Sequence, residues 1–388
     1  MGNGPPEPSW LTERRRKGAS LARELPLPTE KDKGWEFTDL SGLDLDGFEP
    51  TPAAVAGLNG DRDPGLPVVT SLAAAAAHLG DVIEGSLGSV VAVEDPFVAR
   101  NEAAWSDGLL VYVPRGGHLA EPARIEVGHP GGGVAWRTLI VLEEGAEAEV
   151  WERYRGSGDG LFNAVTEVVV GPGATLRYVC EQRLDPTAWI FATQRAELAR
   201  DASFEWIALG FGSARGKVRM ETKLAGPGSS ARVTGAYAGA GRQHLDFDTT
   251  QEHAAEHTTS DLAFRGVLAD RATAVWRGMI RVDPGAQKTD AFQESRNLLL
   301  SKRAHADAIP GLEIEADDVR CTHAAAVAQI DAEQLHYLRA HGLREAEARR
   351  LIVDGFLGAL VERAGASEAR DELAGALERR LGEIVPAA

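Results

Sequence analysis

Thr166-Glu-Val-Val-Val-Gly-Pro-Gly-Ala-Thr-Leu-Arg-Tyr-Val-Cys180 reads as strand, turn, strand. The β-branched run up to Val170 suits a pleated surface. Pro172 presets φ for a turn, and Gly173 can adopt the positive φ that closes it. Beyond the turn, Leu176, Tyr178 and Cys180 alternate with Arg177, Val179 and Glu181, so the second strand has two distinct faces. The same signal recurs along the chain. Val113-Pro-Arg-Gly116, Leu142-Glu-Glu-Gly145, Val170-Gly-Pro-Gly173, Leu198-Ala-Arg-Asp201, Ala225-Gly-Pro-Gly228 and Val282-Asp-Pro-Gly285 have first members 29, 28, 28, 27 and 57 residues apart. The last gap is two periods, which places an unmarked turn near residues 253–256. A second series, Gly131, Gly158, Asp185, Ser213, Gly241 and Asp270, is spaced 27, 27, 28, 28 and 29. Two strands per repeat of about 28 residues is the mark of a β-solenoid, whose coils bury their inner faces against one another. An antiparallel meander shares the turn spacing, but the steady register over some six repeats favours the solenoid.

The flanks are of another kind. Residues 9–25 are charged and helix-permissive up to Pro26 and Pro28, and residues 69–83 hold an Ala-rich helix candidate. After Ile330, Asp331 with Gln334 three positions on resembles a capping box, and Leu335 and Leu338 open a helix that stops near Gly342. A second helix is expected over 345–363, with Leu351, Ile352, Gly355 and Leu360 near one face. A third starts at Ser367 with Leu373, Leu377, Leu381 and Ile384 at helical spacing. The chain is therefore read as mainly β with helical ends: an N-terminal helical region over 1–87, a core over 88–330 and a C-terminal helical domain over 331–388. That last domain is expected to be removable without loss of the β core.

Composition narrows the function. A net charge of −17 over 388 residues disfavours nucleic acid as a partner. Two cysteines, Cys180 and Cys321, make no disulfide framework and fit a reducing cytosol. Residues 1–6 lack the apolar stretch of a signal peptide, Pro6 spoils a myristoylation motif, and the small apolar run over 72–77 is too short to cross a bilayer. A cytoplasmic protein without membrane association is expected.

Four stretches carry candidate chemistry. In Asp317-Asp318-Val319-Arg320-Cys321-Thr322-His323, strand geometry puts Cys321 and His323 on one face beside Val319, with Arg320 and Thr322 opposite. A thiolate and an imidazole are two arms of a metal site, and two arms need other residues or another chain to complete them. The carboxylates Glu313, Glu315, Asp317 and Asp318 could offer hard oxygen ligands to iron, although a solvated strand end explains them as well. His253-Ala-Ala-Glu256-His257 satisfies the inverted zinc-peptidase pattern, but that chemistry needs a helix where the repeat puts a turn. Gly210-Phe-Gly-Ser-Ala-Arg-Gly216-Lys217 imitates a phosphate loop with one residue too many, and Val218 stands where a Mg²⁺ ligand belongs. Cys180 shares parity with Leu176 and Tyr178 and reads as core.

His257-Thr-Thr-Ser-Asp-Leu262 with Phe264-Arg-Gly-Val-Leu268, Arg277-Gly-Met-Ile-Arg-Val-Asp-Pro-Gly-Ala-Gln-Lys-Thr-Asp290, and Asn297 through Asp331 with Leu312-Glu-Ile-Glu315 and Cys321-Thr-His323 resemble the SufB/SufD family of the SUF iron–sulfur cluster assembly system. Weaker echoes lie in Trp35-Glu-Phe-Thr-Asp-Leu40, Ser106-Asp-Gly108 and Val111-Tyr-Val-Pro114. The length and the scarcity of cysteine resemble the SufD branch more than the SufB branch. The resemblance implies a right-handed parallel β-helix between helical ends, and an assembly subunit of a SufBCD complex rather than an enzyme. It implies pairing with SufB through the β-helix core and with the ATPase SufC through residues 331–388, with a homodimer as the alternative state of the isolated chain. It also implies iron acquisition and a transient iron–sulfur cluster at the SufB–SufD interface, with His323 as an iron ligand and Cys321 as its neighbour, and no cofactor in the isolated chain. Where the family reads Gly-Ala-Thr after the His, this chain has Ala324-Ala325-Ala326. The alternatives are a SufB-like homodimeric scaffold, the zinc peptidase above, or a polysaccharide-active β-helix.

Overall fold

The computed structural model describes residues 7–385 other than 61, 62, 64, 77 and 366. The N-terminal residues read above for targeting signals, and Ala77 in the small apolar run, lie outside the described residues. The chain opens with α1 (Ser9–Glu24), β1 (Ala54–Ala56), β2 (Val68–Ser71), α2 (Leu72–Ala75), α3 (Gly80–Ser86) and α4 (Pro96–Ala104). Eight strands follow: β3 (Asp107–Val113), β4 (Ala123–His129), β5 (Gly132–Leu142), β6 (Glu147–Gly156), β7 (Gly160–Val170), β8 (Thr175–Arg183), β9 (Trp189–Leu198) and β10 (Ser203–Gly210). Eight more are β11 (Arg215–Leu224), β12 (Ser230–Gly239), β13 (His244–His253), β14 (Thr259–Leu268), β15 (Thr273–Val282), β16 (Asp290–Leu299), β17 (His305–Ile314) and β18 (Arg320–Gln329). Helices α5 (Ala332–Ala340), α6 (Glu345–Arg363) and α7 (Glu368–Ile384) close the chain. None of the described helices is long and apolar enough to cross a membrane.

Odd strands from β3 stack on odd and even on even, giving two nine-stranded sheets and a solenoid of about eight coils. Every pairing in this stack is parallel, which decides for the solenoid over the meander. Partners along it lie from 26 residues apart, Trp189 with Arg215, to 32, Thr273 with His305. The marked turns join odd to even strands, and Gly116, Gly145, Gly173, Asp201, Gly228 and Gly285 occupy the left-handed region at their closing position. The unmarked turn follows His253, and His257 fills the left-handed position there at φ 58°. Glycine is the usual solution at this site, so its absence hid the turn from the sequence signal.

Inward side chains fill the bore with Trp136, Phe162, Tyr178, Trp206, Phe264 and Trp276, all fully buried. The outer faces are covered separately. Leu11, Leu72, Leu79 and Ile83 of the N-terminal helical segments pack on Leu110, Tyr112, Leu139 and Val141 of the odd sheet. On the even sheet, Val353, Leu357 and Leu360 of α6 and Leu373, Leu377 and Leu381 of α7 cover Trp151, Ile207, Leu209, Phe211 and Val267.

Two local expectations change, and one helix is added. The helix candidate over 69–83 is divided: β-branched Val68, Val69 and Thr70 pair with β3 instead, Ser71 caps the single turn of α2 through the Ala74 N–H, and α3 begins only at Gly80. Helix α4 was unmarked by periodicity, yet Asp95 accepts from the Phe97 and Val98 N–H groups and Pro96 opens the first turn. On α6 the buried face runs through Val353, Leu357 and Leu360, leaving Leu351 52% exposed.

Candidate functional site

The two ends of the solenoid differ. At the N-terminal end β1 runs antiparallel on β4 and β2 antiparallel on β3, so both sheets are closed off by short reversed strands. At the C-terminal end β17 and β18 are the last strands of their sheets. Each offers outward backbone N–H and C=O groups without a strand neighbour among the described residues, a ready template for pairing.

The candidate residues stand on this open coil. Parallel register places Cys321 beside Ala291 and His323 beside Gln293, both inward-facing and fully buried positions of β16. Cys321 and His323 therefore share the inner face, while Arg320 and Thr322 point outward with Asp290 and Phe292. Leu312 and Ile314 of β17 stand on the inner face above buried Ile280 and Val282, yet are 37% and 41% exposed because no further coil covers them.

Cys321 is half-buried among Ile280, Val282, Ala286, Ala291 and Val319. Burial, and then the Asp290 carboxylate, hold its thiol above the ordinary range, so at neutral pH it is a thiol that a metal would have to deprotonate. His323 is exposed. Among the described residues no three His, Cys, Asp or Glu side chains come together to hold a metal ion. Cys321 and His323 thus offer two donors where a tetrahedral iron or zinc wants four. Glu313, Glu315, Asp317 and Asp318 are exposed, and Asp318 is engaged by Lys288.

The other motifs disperse. His253 ends a strand inside the bore, its Nδ1 2.8 Å from Thr258 Oγ1 and its Nε2 2.8 Å from Ser260 Oγ, while Glu256 and His257 are exposed on the turn. The zinc-peptidase geometry, two imidazoles one helical turn apart, is absent there. Lys217 is buried against Asp246 Oδ1 at 2.9 Å and belongs to a strand, so no phosphate cradle forms at Gly210–Lys217. Cys180 lies in the bore, where burial and the neighbouring Glu152 push its thiol up to about 12. Sequence reasoning missed Gln293, whose carboxamide crosses the bore beneath His323. Its partner is thirty positions away, and only the register reveals it.

Residues 125–356 match the family model described as SUF system FeS cluster assembly, SufBD core domain. The iron–sulfur cluster assembly protein SufD of Bacillus subtilis is 28% identical, with 97% of this chain and 95% of that protein aligned. An iron–sulfur cluster assembly SufBD family protein of Mycobacterium bovis is 32% identical over 92% of this chain and 89% of its own length. The SufD protein of Escherichia coli is 29% identical over 87% and 85%.

Proposed function

This chain belongs to the SufBD family of iron–sulfur cluster assembly proteins, and we propose that it acts as the SufD-like subunit of a cytoplasmic SufBCD complex. In that role it helps acquire iron and supplies half of the interface where a nascent cluster forms. One observation carries the reading: the pair Cys321 and His323 lies on the inner face of the open C-terminal coil and, among the described residues, is short of the donors a metal needs. A SufB subunit docked on the edges of β17 and β18 would cover that coil and contribute the missing ligands. The cluster is cargo, made at the junction and handed on, and a site divided between two chains can be opened by moving them apart.

Residues 331–388 are the proposed contact for the SufC ATPase. Within them, α6 and α7 already spend one face on the even sheet, whereas α5 has no buried residue. Tyr337 and Leu338 of α5 face Leu351, Ile352 and Phe356 of α6 across a cleft of about 540 Å³. That apolar cleft is the surface left for a partner.

Co-expression with tagged SufB and SufC homologues of the same genome tests the reading. A stable complex is expected, and His323→Ala should assemble but lose most of its cluster yield by visible absorbance and iron content. Normal yield from the assembled His323→Ala complex would remove the site. Failure to co-purify would remove the SufD role.

A further inference from the structure

Outward charges on this solenoid alternate in sign from coil to coil. On the even sheet Glu149, Arg177, Glu205, Arg232 and Asp261 succeed one another in register. On the odd sheet Glu197, Lys223, Glu252, Arg281 and Glu313 do the same. Stacked strands lie about 4.8 Å apart, where opposite charges attract and like charges directly opposite destabilise the pair. Where two arginines do stack on these sheets, carboxylates accompany them. Arg155 and Arg183 reach Glu181 and Glu383, and Arg265 and Arg296 share Glu294.

One corner breaks the pattern. Arg242, Arg271 and Arg303 each stand two residues before His244, Thr273 and His305, which are in register, so the three hold the same place in successive turns. The last of these turns is one residue longer and adds Lys302 beside them. All four are exposed, and none has an ion pair among the described residues. Asp270, the carboxylate in these turns, accepts the Gly241 N–H at 3.0 Å instead. A chain of net charge −17 therefore stacks four unpaired cations along about 10 Å, two strand spacings. The fold gains nothing from this, since a carboxylate at the middle position would restore the alternation seen on both sheets.

We infer that this corner docks an acidic helix of a partner protein, laid along the solenoid axis. Helix carboxylates at i, i+3 and i+7 share a face and lie about 4.5 and 10.5 Å from the first along the axis, close to one per coil. An extended peptide repeats a face only every 6.8 Å or so, and falls out of step with the coils. Nucleic acid and anionic membranes would meet far more of the negative surface than one corner. The inference is independent of any role of His323.

Two fluorescent Ala-rich helical peptides of equal composition test it against the full-length chain. One carries Glu at i, i+3 and i+7 on a single face, and the other spreads the same Glu residues around the helix. Anisotropy at low ionic strength should show the one-face peptide binding roughly tenfold more tightly, about 1.4 kcal/mol shared by three surface pairs. High salt should erase the preference. Arg271→Glu should abolish it while leaving Tm level or higher, because alternation is restored. Arg200→Glu, an equal charge change at an exposed position on the opposite corner, should preserve it. Equal binding of the two peptides, or a preference that survives Arg271→Glu, overturns the inference. A marked fall in Tm for Arg271→Glu would make the column a structural feature and overturns it too. So does tighter binding of single-stranded RNA or of phosphatidylserine vesicles than of the one-face peptide.

Discussion

His253 shows what a residue's surroundings do to its chemistry. Its ring is buried with a hydroxyl at each nitrogen and no carboxylate among its hydrogen-bond partners, so burial lowers its pKa from 6.5 to about 4. The folded state therefore binds the proton less readily than the unfolded chain. Stability from this residue is complete above about pH 6.5 and drains away as pH falls toward 4, by about 3 kcal/mol if the full shift counts. His253→Gln should be less stable than wild type at pH 7.5, and the gap should close by that order at pH 4. Urea midpoints at the two pH values measure it, and a gap that stays constant would exclude the buried neutral ring. The two thiols differ as sharply. Cys180, buried and pushed to about 12, should react with an aromatic disulfide reagent only after unfolding, whereas half-buried Cys321 should react slowly in the native protein and faster as pH rises. Two fast native thiols would contradict the burial of Cys180. Period-two alternation was enough to read from sequence that Cys321 and His323 share a face. It could not reveal Gln293, because that neighbour is set by a register of thirty residues and by the small residues Gly278 and Gly311 opposite.

At the level of elements, the helices after β18 divide into a covering layer and a free rim. Removing residues 331–388 was expected to spare the β core, but it would bare Trp151, Ile207, Leu209, Phe211 and Val267. Each such side chain is worth about 1.5–3 kcal/mol of burial, so the truncated chain should aggregate rather than report on binding. Point substitutions ask the question better. Leu351→Asp, at the exposed rim of the α5–α6 cleft, should weaken SufC binding at least tenfold with little change in Tm, whereas Leu360→Asp, fully buried on the even sheet, should lower Tm sharply. Undiminished SufC binding by Leu351→Asp, measured by calorimetry, would move the contact elsewhere. The sequence announced α6 and α7 through helical spacing, but not which stripe of α6 meets the sheet. Leu351 and Leu360 are both apolar, and only the position of the sheet separates them. Strands β1 and β2 were illegible for a different reason: at three and four residues they are too short to show alternation, and they sit outside the repeating turns.

The whole molecule is a stack with one finished end and one open end. A solenoid needs a cap wherever its last coil meets water, because inner-face side chains there have no next coil to rest on. The reversed strands β1 and β2 meet that need at the start of the stack. At the other end Leu312, Ile314 and Val327 remain 37–43% exposed, and the two edge strands are long, which in an isolated monomer is an invitation to association. The repeat spacing gave the stack but could not give this asymmetry, which depends on which strands pair at the edges. If the open coil is the SufB docking surface, hydrogen exchange should report it directly. In the isolated chain the outward N–H groups of β17 and β18 should exchange within seconds, while those of β10, β12 and β14 in the middle of the even sheet stay protected far longer. Adding the SufB homologue should slow exchange over residues 305–329 and leave β1 and β2 unchanged, since their end of the stack is already closed. Protection that appears at β1 and β2 instead, with residues 305–329 still exchanging freely in the complex, would reverse the polarity of the assembly and take His323 away from the junction.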